Sequence, residues 1–410
     1  MRKRIIAAII IASAMMLSGC DTSVVAPKVA DVELGDALIV EKNNATPEDL
    51  SEDETEQETA EAETETEAEI VEADDGKVYD TDGTEIVRSY LTGKPIRIDD
   101  RQTRPLAVML NNIEAGCPQS GISEAAIVYE APVEGRITRL MAIFENYDDI
   151  PEKIGSIRSS RDYYVYLAAE FDAIYSHFGQ ATVYVGALLN SSAVDNISGA
   201  VSGIDNPATN AFYRSSDRKA PHNVYISKEG ILSDIEKFGY RTELIEDYQQ
   251  KLTFPEKEGT RVSYSNEKDA TVLYPGGKTT GKRNGFSSVQ ARFEYNKEDG
   301  KYYRYEYGGP QIDLETGEQL AYDNVIFQYC HGEVRDEHDY LAFGIHGDNG
   351  YKCQVFTAGK MIEGTWSRGI DTGYRPTIYK DKNGNPITVN EGKTWICIIW
   401  DEFGEDVVIE

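Results

Sequence analysis

The sequence predicts an α/β N-terminal domain with a mixed sheet, followed by a β-rich C-terminal domain. Three observations carry this. Strand-length apolar runs alternate with helically spaced ones up to about residue 248. From Thr253 the pattern changes to short strand-like segments separated by turns such as Asn383-Gly384. Some 325 residues follow residue 85, enough for two ordinary domains.

The chain opens with Arg2, Lys3 and Arg4, then an uncharged apolar run from Ile5 to Leu17, then Leu17-Ser18-Gly19-Cys20. A basic start, a short apolar stretch and small residues before a cut define an export signal. A cysteine directly after the cut is the lipidated form of it. Residues 1–19 are therefore expected to be a lipoprotein signal peptide, with Cys20 carrying the lipid. The apolar run is shorter than the roughly 20 residues of a spanning helix. A diacylglyceryl group supplies the two chains that stable anchoring needs, so the expected location is the outer face of the cell membrane.

The net charge is −30. Glu48 to Asp75 holds fifteen acids and no base, half of that total. Such a stretch buries too little apolar surface to order itself, and its charges repel into an extended chain. Residues 20–84 thus read as a lipidated start and an acidic tether, ahead of an α/β domain at 85–248 and a β-rich domain at 249–410. No basic stripe is present, which argues against nucleic acid as a partner.

In the first domain, strands are expected at Arg104–Asn111, Ala125–Glu130, Ile137–Glu145, Lys153–Arg158 and Phe171–His177. Ser159 and Ser160 read as helix caps before a helix at Arg161–Phe171. Further helices are expected at Thr182–Leu189, Ile231–Phe238 and Thr242–Gln249. In the second domain, strands are expected at Arg261–Tyr264, Ser288–Tyr295, Tyr302–Tyr307, Asn324–Tyr329, Tyr351–Thr357, Met361–Ser367, Thr377–Tyr379 and Lys393–Trp400, arranged as a sandwich or a partly open barrel. Trp366, Trp395 and Trp400 read as core. Cys117, Cys330, Cys353 and Cys397 are either buried thiols or bridged in one of three pairings.

Strand directions place polar residues together. If Ala125–Glu130 and Lys153–Arg158 run one way, Ile137–Glu145 runs back, and the helix crossover makes Phe171–His177 parallel to the fourth strand. One sheet edge then collects Glu130, Glu134, Arg136, Arg139, Arg158, Arg161 and His177, with Asn111 and Asn112 if the first strand is also parallel. Ligands of open α/β sheets bind at such an edge. The helix start at Ser159 and Ser160, flanked by Arg158 and Arg161, favours an anion. The alternative is a set of internal salt bridges that fix loops. His222, in the polar loop Arg214–Asn223, is a ligand candidate or a structural histidine. His331, His338 and His346 lie near Asp336, Asp339 and Asp348 but lack metal-site spacing. No metal or cofactor is expected.

The stretches RPLAVMLNN, PQSGISEAAIVYE, EGRITRLMAIF, IGSIRSSRDYYV and APHNVYIS resemble the YerB-like lipoprotein family, and GKMIEGTWSR and GKTWICIIW resemble its C-terminal part. The likeness covers about Thr103 to Glu410. It implies a lipid-anchored, two-domain extracytoplasmic protein and no particular reaction or disulfide pairing. It also implies a shared site at Glu130, Arg136, Arg158, Arg161 and His177. Ser156-Ile157-Arg158 and Arg161-Asp162 show a shorter likeness to LytR-type cell-wall phosphotransferases, with different spacing and a different second domain.

Two functions compete at this point. One is an envelope lipoprotein that binds a wall polymer, an anionic small molecule or an envelope protein. The other is a cell-wall-modifying enzyme, phosphotransferase-like or a hydrolase, acting at the Arg-rich edge with Glu130 or Glu134 as acid–base group. No nucleophile motif favours the second. A plain structural spacer is the third possibility.

Overall fold

The computed structural model describes residues 71–72, 77–189, 194–199, 209–345, 347–368 and 375–410. The signal peptide, Cys20, nearly all of the acidic stretch and His346 lie outside the described residues. Ordered strands begin ahead of residue 85. Val78–Tyr79 pairs with Glu85–Arg88, which pairs with Pro95–Arg97.

The strand-rich fold is built on an eleven-stranded mixed sheet. The first half of the chain supplies β1 (Leu106–Leu110), β2 (Ile127–Val133), β3 (Ile137–Phe144), β4 (Ile174–Phe178) and β5 (Asn196–Gly199). From the second half, β6 (Arg292–Asn296) and β7 (Lys301–Glu306) belong to a smaller six-stranded sheet. The same half adds β8 (Asn324–Cys330), β9 (Gly347–Thr357), β10 (Lys360–Arg368) and β11 (Thr394–Trp400) to the long sheet. The long sheet's order is β5-β4-β1-β3-β2-β11-β8-β9-β10, and Lys268–Asp269 and Ile378–Asp381 both pair with β10. The final long strand, β11, returns to the middle and lies parallel to β2, with Thr394 opposite Ile127 and Cys397 opposite Glu130. One sheet thus runs through both halves.

Apolar residues fill both faces of the central strands, as a sheet covered on both sides requires. On one face Ala107, Met109, Tyr129, Met141 and Tyr175 pack against the helices α1 (Asp162–Ala169) and α2 (Thr182–Leu189). On the other, Leu106, Val108, Leu140 and Ala142 meet Ile231 and Ile235 of α3 (Lys228–Phe238). Further along that face, Phe293 and Tyr302 of the small sheet pack on Trp395 and Val325. The small sheet therefore lies face-on against the long one.

Several expected elements differ. Lys153–Gly155 is a short strand of a separate three-stranded sheet with Val224–Ser227 and Phe212–Arg214, not a strand of the main sheet. Ser159 and Ser160 do not cap α1, because Arg161 occupies the cap position in extended backbone without a side-chain bond. Thr242–Gln249 is not helical, because its backbone is used by neighbours. Arg104 N–H donates to Thr242 O at 2.7 Å, Leu244 N–H to Gln102 O at 2.7 Å, and Ile245 N–H to Asp172 Oδ2 at 3.0 Å. Arg261–Tyr264 is not a strand; its Val262 N–H is held by Asn390 Oδ1 at 2.9 Å. All four described cysteines are free thiols, three of them buried.

Candidate functional site

β1, β2, β4, β5, β8 and β11 are mutually parallel, and β3 runs against them. Their carboxyl ends therefore meet at one edge, where β3 begins. The first strand is parallel, so Asn111 and Asn112 belong to this edge.

β1 and β4 pair from Leu106 to Val108 and then diverge. The segment from Ser156 to Ser160 fills the gap between them. Asn111 N–H donates to Ser156 O at 2.8 Å and Arg158 N–H to Met109 O at 3.0 Å on one side. Phe178 N–H donates to Arg158 O at 3.0 Å and Ser160 N–H to Gly179 O at 2.9 Å on the other. Gly179 adopts φ +83°, and a Cβ there would lie 2.9 Å from Ser159 Oγ, so glycine lets this segment enter. The inserted segment thus presents its side chains where the strands part, at the carboxyl edge where such sheets usually carry ligands.

Arg158 emerges from that segment, half-buried. Its Nη2 lies 2.6 Å from His222 Nδ1, and Asn111 Nδ2 lies 3.1 Å from the same nitrogen. Both neighbours are donors, so Nδ1 accepts and the imidazole proton resides on Nε2. Burial, then Arg158 and Arg218, hold the His222 pKa below its usual value. The ring is therefore neutral and offers Nε2–H as a donor. Among the described residues no carboxylate lies within ion-pairing distance of Arg158. Burial, and then Arg139, push its pKa down to about 10. Arg218 clamps the loop by donating to Gly116 O and to Pro118 O.

The other arginines sit beside this pair. Arg139 donates to Ser159 O at 2.7 Å. Arg161 donates to Ser160 O at 2.6 Å, binds Glu134 through two nitrogens, and lies over the Tyr340 ring at 5.2 Å. Glu134 also lies 3.9 Å from Arg139, so one carboxylate serves two guanidinium groups. Arg136 is exposed in the β2–β3 turn and forms no ion pair among the described residues. The Gln180 amide, whose residue bridges to Ser160, is buried with no hydrogen-bond partner at either atom among the described residues.

Not every expected residue reaches the edge. Glu130 is fully buried and pairs with Arg304 at 2.9 Å, with Thr138 at 2.7 Å and Trp395 at 3.1 Å donating to it. His177 is fully buried, with Nδ1 2.8 Å from Gly179 O, and burial lowers its pKa to about 4. Ser160 Oγ accepts from Tyr175 at 2.8 Å. The start of α1 carries its own Asp162, paired with Arg335 at 2.5 Å. The cationic character of the edge comes from the arginines, not from the helix start. His331 and His338 are exposed, and no group of three metal-type ligands occurs among the described residues. Sequence reasoning missed Asn111 as the partner of His222, Arg218 as a clamp, and Arg283 and Trp400. The last two line a cleft with Glu134 and Arg136. Only the loop Arg214–Asn223 carried a local signal.

Fold and edge together define a strand-rich protein whose parallel strand ends converge on an arginine-rich edge. The chain belongs to the YerB-like family. Residues 91–241 match the domain described as "Protein of unknown function (DUF3048) N-terminal domain", and residues 283–396 match its C-terminal domain. The chain is 31% identical over 322 residues to "Putative lipoprotein YerB" of Bacillus subtilis (strain 168), covering 78% of this chain and 88% of that one. The crystal structure of the YerB protein from Bacillus subtilis is similar with a TM-score of 0.65 at 29% identity, covering 79% of this chain and 99% of that one.

Proposed function

We propose that this protein is a lipid-anchored lipoprotein on the outer face of the cell membrane, and that its sheet edge binds an anionic ligand of the cell envelope. The anchor rests on Cys20 and its preceding signal, and on the lipoprotein name of the relative. The binding reading rests on one observation above all. Arg158 is half-buried, its guanidinium lies against a neutral histidine acting as acceptor, and among the described residues no carboxylate pairs with it. A partly desolvated guanidinium without a counter-ion favours an anion beside it, and a phosphoryl or carboxylate group supplies one bidentately. The carboxylates of the enzymatic alternative are committed elsewhere, Glu130 to Arg304 and Glu134 to Arg161.

Two measurements test this. Titration of the soluble chain with pyrophosphate and with anionic wall fragments should show saturable binding. Arg158→Ala should weaken it about tenfold or more, the loss of one charge-assisted contact of about 1.5–3 kcal/mol, with an unchanged melting temperature. Equal affinity in the variant would remove Arg158 from the site. For the anchor, Cys20→Ala should move the chain out of the membrane fraction. Retention there would point to an uncleaved apolar segment instead.

A further inference from the structure

We infer that the ligand of this edge is extended, a linear phosphodiester chain with neutral spacers, held at two subsites. The inference rests on the anion-binding reading above and adds that the ligand is extended and carries separated charges.

The first subsite is the Arg158–His222 pair. The second is a cleft on the same edge lined by Glu134, Arg136, Arg283, Leu341, Trp400 and Asp339. Arg139 stands between the two: it lies 3.9 Å from Glu134, which lines the cleft, donates to Ser159 O at 2.7 Å, and is the charge that acts on Arg158. Arg136 and Arg283 are exposed, and neither has an ion-pair partner among the described residues.

Their placement is fixed by the fold. Arg136 sits in the tight turn that joins β2 to β3, with Gly135 and Arg136 both in left-handed backbone. Arg283 precedes Asn284, whose amide donates to Gly276 O at 3.0 Å and to Asp406 Oδ2 at 3.1 Å. The loop is pressed onto the start of β3, where a Cβ on Gly285 would come within 2.8 Å of Ile137 O. Two arginines from distant parts of the chain are thus held at one cleft.

A compact anion uses Arg158 and His222 and leaves Arg136 and Arg283 idle. A chain with repeated charges engages both places at once. The cleft's other wall is apolar, from Trp400, Leu341 and the 41% exposed Val334. That wall suits an uncharged spacer. Asp339 and Glu134 in the same cleft disfavour a ligand of uniformly dense charge, and so favour one whose phosphates are set apart.

Glycerol-phosphate oligomers of graded length provide the test, titrated against the soluble chain at low and moderate salt. The long chain should bind more tightly than the monomer. Arg136→Ala/Arg283→Ala should weaken the long chain about tenfold or more by removing the second contact and leave monomer binding unchanged. Arg158→Ala should weaken both. If the long chain binds no tighter than the monomer, the site is compact; the extended ligand is then wrong while the anion-binding reading stands. If neither these oligomers nor pyrophosphate binds, both fall. If a single-stranded oligonucleotide with the same number of phosphates binds more tightly than the oligomer, nucleic acid is the partner and the proposed class is wrong.

Discussion

Replacing Arg304 by Met should destabilise the protein by about 3–5 kcal/mol, the usual result of removing one member of a buried ion pair. Arg304 and Glu130 are both fully buried, with Nη2 at 2.9 Å and 3.1 Å from the two carboxylate oxygens. The guanidinium also lies over Phe293 at 4.8 Å and over Trp395 at 5.0 Å. Glu130 is on β2, from the first half of the chain, and Arg304 is on β7, in the small sheet. The pair therefore pins the small sheet to the centre of the long one. With Arg304 gone, the carboxylate keeps its bonds to Thr138 and Trp395 but loses its counter-charge in an apolar setting. Adding Glu130→Gln should recover much of the loss, because the cost lies in the unpaired charge rather than in the missing bond. Lys77→Ala, which removes an exposed pair with Glu85, should change stability by less than about 1 kcal/mol. Denaturant unfolding of the single and double variants measures this as a cycle. A loss below about 1 kcal/mol in Arg304→Met would show that the pair does not carry the contact between the sheets.

The same pair shows where sequence reading ends. The parallel edge was legible because strand direction follows from local connections. The hairpin rule placed Arg139 at this edge, but the crossover argument took Lys153–Arg158 for a main-sheet strand, which it is not; Arg158 reaches the edge on the inserted segment instead. Glu130 looked like an edge residue because it ends an apolar run. Its partner lies 174 residues away, and nothing local to AAIVYE marks that distance. The return of β11 to lie beside β2 is equally silent, since TWICIIW reads as a buried strand wherever it pairs. Ser159 and Ser160 carried a genuine capping signal, but the segment is used to fill the gap between β1 and β4, so tertiary bonding overrides it. His222 was visible as a polar-loop histidine. Its role became readable only once Asn111 and Arg158 were seen to donate to one nitrogen of its ring.

Glu306→Gln should match the wild type in stability near pH 4.5 and exceed it by about 3 kcal/mol at pH 8. Glu306 lies at the end of β7, buried, with Oε2 unpartnered. Burial raises its pKa to about 7 from 4.5, the nearby Glu130 adds to the rise, and Arg304 and the Cys117 thiol pull it down. The folded state therefore binds this proton more tightly than the unfolded chain does. Between about pH 4.5 and 7 the native protein holds more protons, so stability falls as pH rises. Glu145 acts in the same direction; burial brings its pKa to about 7, against the lowering bonds of Ser89 and Leu91. His177 acts oppositely, since its lowered pKa of about 4 makes stability rise through the acidic range. Comparing variant with wild type at each pH cancels the last two and leaves Glu306 alone. A Glu306→Gln variant equally or less stable than wild type across the whole range would mean that Glu306 is ionised and well solvated in the fold. The position of the group gives the comparison a second use. Cys117, whose thiol acts on Glu306, ends the turn that follows Asn111, the residue that holds His222, and Arg218 grips the carbonyls on either side of it, Gly116 O and Pro118 O. Removing the charge at Glu306 should therefore leave ligand affinity at the edge unchanged near pH 5, where wild type and variant are both neutral there. Any difference in affinity between the two proteins should emerge as pH rises through about 7, where Glu306 ionises in the wild type.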